Sequence, residues 1–305
     1  MPIKRLLTTA AAVVAMFATS PALAGDDAQA PQVKTEASGP ALWKVADEDT
    51  TIYLFGTVHT LPDNVEWNSG VVNDALASSE ALVTEIDMTP ENMASMGAIF
   101  QEKATLTTGQ TLRELMTEEQ RATYEGGLAK IGVPAAAFDG LEPWAAALAI
   151  VQVITQASGF TPDKGVETVL EKLIGEDVER LALETVEFQL SVFDELPIDQ
   201  QLLFLLEGAE DPMEGITALN ALITEWAEGD VEELGNLMNE GLMAHPNLAQ
   251  RLLYDRNANW AEWIDDRLDT TPGTVFIAVG AGHLAGEKSV QDLLNKRDIA
   301  VERLQ

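Results

Sequence analysis

Two stretches of the chain, more than two hundred positions apart, carry one hydrophobic pattern. Residues 52–55, Ile-Tyr-Leu-Phe, and residues 275–279, Val-Phe-Ile-Ala-Val, are apolar runs of strand length, and each leads into Gly-x-x-His: Gly56 to His59, and Gly280 to His283. The first run belongs to a predicted hairpin, with strands over 42–45 and 51–55 about a turn at Asp47-Glu48-Asp49. After a turn at Pro62-Asp63-Asn64, helical spacing covers 65–78, and a second buried strand follows over 81–86. The same order returns at the C-terminus, with a strand over 274–279, a loop over 280–283, a helix over 287–295 and a closing strand over 299–304. Strand, loop, helix, strand is a βαβ unit. The pattern therefore predicts an α/β fold in which two pseudo-symmetric βαβ halves form a central sheet, with a large helical insertion between them.

The middle of the chain has clear helix punctuation. Thr117-x-x-Gln120 is a capping box, with Gly132 as a stop. Glu142-Pro143 opens an alanine-rich core helix that ends by Gly159, and Thr161-Pro162 opens another that stops at Gly175. Asp211-Pro212-x-Glu214 and Asp230-x-x-Glu233 start two more, separated by Gly229. One strand interrupts the run over 178–183, and a last long helix is predicted over 247–268. No linker divides the chain. The expected organisation is one α/β domain over 41–305, with a helical subdomain at about 89–270.

Composition changes the picture at the N-terminus. Lys4 and Arg5, an apolar run over 6–18 and the small-x-small site Ala22-Leu23-Ala24 predict a secretory signal over 1–24, followed by a polar, disordered leader over 25–40. The apolar run is shorter than the roughly 20 residues of a spanning helix. The absence of cysteine excludes a disulfide framework and any thiolate ligand or nucleophile. A periplasmic address is predicted, with secretion beyond it as the alternative. The formal net charge of −32 argues against nucleic acid and anionic lipid as partners; oligomeric state is not legible.

In open α/β sheets, ligands sit beyond the carboxyl ends of the strands. His59, Glu85, Glu184 and His283 are all predicted at such ends. Two imidazoles and one or two carboxylates facing one crevice are a donor set for Zn, Mn, Fe or Co. Gly56 and Gly280 allow the chain to turn sharply toward a ligand, and Gly280-Ala281-Gly282, preceding a helix, offers amides to an anion. Each carboxylate also has a structural alternative: an ion pair or cap for Glu85, and a helix-dipole charge for Glu184. Asp87 is read as capping the next turn or pointing to solvent, and His245 as an exposed loop residue. Arg256, Trp260, Trp263 and Arg267 share one helix face. Arg256 is either a cation–π partner of a tryptophan or, with Asn257, a clamp for an oxyanion or carboxylate.

Taken together, YLFGTVHTLP, ALVTEID, LALETVEFQL, DRNANWAEWI and VFIAVGAGHLAG resemble the TraB/GumN family, which includes the TIKI-type metalloproteases, in the family's order and over nearly the whole chain after the leader. The resemblance implies an α/β core with two related halves and a divalent-metal-dependent activity using both GxxH histidines and a glutamate. It points to His59, His283 and Glu85, with Glu184, Gln189, Arg256 and Asn257 as further family-pattern positions. Gly165-Val166-Glu167 stands where the family pattern leads to Gly-Val-Asp or Gly-Leu-Asp, and no role is carried over to that longer carboxylate.

The function these readings predict is a periplasmic metal-dependent hydrolase, peptidase-like, with Mn, Co or Zn held by His59, His283 and Glu85 or Glu184. The remaining glutamate is its general base, and Arg256 stabilises the oxyanion. The alternative is a metal- or haem-binding or regulatory envelope protein without turnover.

Overall fold

The computed structural model describes residues 39–242 and 246–305, so the predicted signal, the leader up to residue 38 and His245 lie outside the described residues. Six strands form one sheet in the order β4-β3-β5-β2-β1-β6. They are β1 (Leu42–Ala46), β2 (Thr50–Thr57), β3 (Ala81–Thr84), β4 (Glu179–Ala182), β5 (Gly273–Gly280) and β6 (Glu302–Arg303). Strands β2, β5, β3 and β4 run parallel, while β1 is antiparallel to both β2 and β6. The α/β class with a central sheet and helices from the middle of the chain is therefore present.

The expected symmetry of two βαβ halves is not. Strand β5 is inserted between β2 and β3, and β6 pairs antiparallel with β1 at the sheet edge rather than parallel beside β5. A strand has two edges, and both edges of β5 are taken. The chain therefore turns at Asp298, whose φ is +62°, and closes on the free edge of β1.

Side-chain alternation along the central strands divides the core into two layers. Phe55, Leu82, Phe276 and Ala278 face one side, packed with Trp67, Trp144 and Trp226. Ile52, Leu54, Val83, Val275 and Ile277 face the other, with Trp260, Ile264 and Leu294. The first layer is covered by helices α1 (Gly70–Ala77), α2 (Pro90–Ala104), α3 (Glu118–Lys130), α4 (Pro143–Ala157), α5 (Val166–Leu173), α6 (Val186–Asp194), α7 (Ile198–Glu210), α8 (Pro212–Glu228) and α9 (Val231–Leu242). A short α10 (Pro246–Ala249) continues through a π-helical turn, Gln250–Tyr254, into α11 (Asp255–Thr270). Helices α11 and α12 (Val290–Asn295) cover the second layer.

Most helix boundaries follow the punctuation. Thr117 and Gln120 make both halves of the capping box at α3, and Gly132 takes φ +70° just beyond its end. The predicted helix over 65–78 is shorter, because the Ser69 hydroxyl accepts from the Val72 amide and caps α1 there.

One glycine fixes a helix crossing. A Cβ on Gly127 of α3 would lie 1.6 Å from the Ala209 carbonyl oxygen of α7, so the two backbones touch. Gly127→Ala is expected to cost about 1–3 kcal/mol or more, since a helix backbone must shift. Urea unfolding with an unchanged m-value checks this; a loss below about 0.5 kcal/mol would show that the crossing yields freely.

Candidate functional site

Parallel pairing brings the two GxxH turns together. Thr57 stands opposite Gly280 in the β2/β5 ladder, so both turns leave the same end of the sheet. On the other side of β5, Thr84 is level with Ala278 and with Ala182 of β4. The next residues continue the pairing, with the Glu184 amide donating to the Glu85 carbonyl at 2.8 Å. Four neighbouring strands thus present Glu184, Glu85, His283 and His59 at their carboxyl ends. Arg256 and Asn257 enter from α11, on the far face of the sheet.

Arg256 is the hub of this cluster and is 1% exposed. Its Nε and Nη2 donate to Glu184 Oε1 and Oε2 at 2.8 and 2.9 Å. Nη2 also donates to Glu85 Oε2 at 2.6 Å, and Nη1 to the Leu252 carbonyl at 3.0 Å, within the π-helical turn. Nη1 lies 3.1 Å from His283 Nε2. A guanidinium has five N–H groups and no acceptor. All five are engaged, and none is left for the oxyanion role expected of it. Of the two alternatives for Arg256, both geometries occur: it clamps carboxylates, and its guanidinium carbon lies 4.8 Å from the Trp260 ring centroid.

Because arginine can only donate, His283 Nε2 must accept, which puts the ring proton on Nδ1. That N–H donates to Asn257 Oδ1 at 2.6 Å, while Asn257 Nδ2 donates to the Lys288 carbonyl at 2.9 Å and so fixes the amide's orientation. His283 also packs on Trp260, with ring centroids 4.2 Å apart. Burial, with the Arg256 charge second, pulls its pKa down to about 3. It is a neutral imidazole.

Glu85 is 2% exposed and also bound by the Gln189 side-chain amide at 2.7 Å and the Gly280 amide at 2.8 Å. The anion held by the glycine-rich turn is therefore the protein's own carboxylate. Burial opposes ionisation of Glu85, yet Arg256, both imidazoles and the Gly280 amide outweigh it and bring the pKa down to about 2. For Glu184 burial prevails over Arg256 and raises the pKa.

His59 stands apart from this hub, with Glu167 as its neighbour. Its Nδ1 is 2.6 Å from Glu167 Oε1, off the N–H direction of a formal hydrogen bond, and the Thr57 hydroxyl donates to the same oxygen at 2.5 Å. Burial lowers the His59 pKa, but Glu167 and Glu85 reverse this and hold it above 6.5. Its Nε2 is buried with no hydrogen-bond partner among the described residues. Glu167, left without a role by sequence comparison, is brought here by Gly165. A Cβ on that glycine would lie 2.1 Å from the His59 carbonyl oxygen. The signal was present in the sequence as glycine two positions before a carboxylate, but nothing local ties residue 167 to residue 59.

Asp87, by contrast, takes a structural role: its carboxylate accepts from the Thr89 amide at 2.8 Å, at the start of α2. Gly282 is covered by Met238 of α9, whose Cε lies 2.1 Å from a Cβ built there. A small cleft reaches Gly56 and Ala281 between Trp43, Trp226 and Leu284, behind the turns, but touches none of the polar side chains of the cluster.

The donor set does not fit the expected metal as arranged. His283 Nε2 and both oxygens of Glu184 face Arg256, and Glu85 Oε2 accepts twice. His59 Nε2 and one lone pair each on Glu85 Oε1 and Glu184 Oε1 are left, and no group of three or more metal-ligating side chains is assembled among the described residues.

A family model for TraB/PrgY/gumN matches residues 41–303, the whole sheet with its helices. The chain belongs to the TraB/PrgY/gumN family. Among curated relatives of this TraB/PrgY/gumN protein is one described as an uncharacterized protein of Treponema pallidum (strain Nichols), 24% identical over 277 residues, covering 84% of this chain and 80% of that one. No solved structure matches. Among the described residues no helix is long and apolar enough to cross a membrane.

Proposed function

We propose that this TraB/PrgY/gumN protein is an exported hydrolase of peptide or ester bonds, in which His59 activates the attacking water. The observation that carries the reading is the His59 ring itself. It is buried, one nitrogen rests on a carboxylate, and the other has no partner among the described residues. A carboxylate-oriented imidazole with a free nitrogen is the arrangement of a general base. In the reaction, water adds to the acyl carbon as Nε2 takes its proton. Glu167 stabilises the imidazolium, which then returns the proton to the leaving amine or alcohol. Glu85, Arg256 and Glu184 form a fixed wall beside it. The reaction draws on no metal, since His283 Nε2 and Glu85 Oε2 are taken by Arg256.

The enclosure of His59, Glu85, Arg256 and His283, none more than 4% exposed, favours the second reading, a binding or regulatory protein without turnover.

Rates on p-nitrophenyl esters and fluorogenic peptides separate the two. His59→Gln is expected to lower kcat/KM by about 10²–10⁴-fold. The unprotonated ring is the base, so the wild-type rate rises with pH through a value above 6.5, and Glu167→Gln moves that limb to lower pH. An undiminished rate in His59→Gln defeats the hydrolase reading, and absence of turnover on every substrate leaves the binding protein.

A further inference from the structure

The strongest tension in the molecule lies between the residues it shares with a metal-site pattern and what those residues actually hold. Two buried carboxylates and an imidazole converge from three strand ends, and a positive charge stands among them. That charge is the guanidinium of Arg256, delivered from α11 on the other face of the sheet. Its Nη2 is within 2.9 Å of both Glu85 and Glu184, and its Nη1 is 3.1 Å from His283 Nε2. Each contact uses an electron pair that a divalent ion could take, and at His283 Nε2 it is the single one available. A cation and a guanidinium compete for the same lone pairs, and like charges so close in a buried site repel strongly.

We infer that Arg256 is the resident cation of this centre, that the protein takes up no divalent metal at Glu85, Glu184 and His283, and that removing the guanidinium uncovers a three-donor metal site there. Several features of the chain serve to hold the arginine and not an ion. The π-helical turn aims the Leu252 carbonyl at Nη1, an oxygen with no use to a metal occupying the carboxylate side. Asn257 and the Lys288 carbonyl keep the His283 proton on Nδ1, so that Nε2 accepts from Arg256; Lys288 itself takes φ +59°, in the left-handed region. Trp260 lies under both the guanidinium and the imidazole. The Gly280 amide and Gln189 place Glu85 so that one oxygen faces the arginine.

The inference concerns the same centre as the hydrolase reading, but its readout is metal uptake and melting, so either can fail while the other stands. The experiment compares the full-length exported chain with Arg256→Ala and with Arg256→Ala/His283→Ala, after chelation and desalting, titrated with Mn, Co and Zn. For the wild type, elemental analysis is expected to find less than about 0.1 ion per chain after desalting, and Tm to stay constant with metal, apart from weak surface uptake shared by all three proteins. Arg256→Ala is expected to gain roughly 5–10 °C in Tm at metal about a hundred times Kd, and the double variant to lose that gain. If Arg256→Ala does not fold at any metal concentration, the wild-type result decides alone. One ion per wild-type chain, lost in a single His283→Ala variant, overturns the inference; a metal-indifferent but folded Arg256→Ala overturns the claim of an uncovered site.

Discussion

Arg256→Ala is expected to lower the unfolding free energy by about 3–5 kcal/mol in metal-free buffer. The loss does not come from the missing hydrogen bonds alone. It comes from what stays behind: Glu85 and Glu184, with side chains 2% and 4% exposed, lose the guanidinium that both of them face. The Leu252 carbonyl and His283 Nε2 lose a donor as well. A buried charge without a partner costs several kcal/mol, more than the pair contributed when intact. Arg256→Lys keeps the charge but brings three N–H groups in place of five, so it should fall between the two. Urea midpoints for the three proteins test the order. A loss below about 1 kcal/mol in Arg256→Ala would mean that water reaches the carboxylates freely, contrary to their burial.

Acid should destabilise the domain well before its surface carboxylates explain it. His283 is held neutral in the fold, its pKa down from 6.5 to about 3, so the unfolded chain binds a proton that the folded chain refuses. That contribution is complete above pH 6.5 and is lost as pH falls toward 3. Glu85 has the same sign: its pKa is down from 4.5 to about 2, so its contribution is present above 4.5 and fades toward 2. His59 has the opposite sign. With its pKa above 6.5, it contributes most below 6.5 and loses that as pH rises through the folded value. The His283 shift alone corresponds to roughly 5 kcal/mol by pH 3. Relief of repulsion in a chain of net charge −32 works the other way as acid is added. The informative comparison is therefore with His283→Asn. Between pH 6 and 4 the wild type should lose stability more steeply than this variant, and equal slopes would remove His283 from the account.

Much of the scaffold was written locally. Strand alternation, the capping box at Thr117, the proline at Pro143 and the αL glycine at Gly229 act within a few residues of themselves, so their consequences could be read before any contact was known. Topology was less legible. Identical local order at the two ends suggested equivalent halves, but strand pairing depends on which edges are still free, and β5 had none for β6. The helix predicted over 65–78 begins only at Gly70, because its periodicity continues upstream of a cap that a hydroxyl, not a hydrophobic residue, sets.

What the sequence by itself determined is the fold class, the pair of GxxH turns and the placement of His59, Glu85, Glu184 and His283 at strand ends, since alternation and glycine turns are local properties of the chain. What only the tertiary structure decided is which of these residues speak to one another. Glu167 reaches His59 across 108 positions of sequence, and Arg256 reaches Glu85 across 171. The direction in which a charge points, and whether a lone pair is already taken, are fixed by packing of distant elements. A list of donors along the chain predicts a metal site; the same donors around a buried guanidinium are an ion-pair hub.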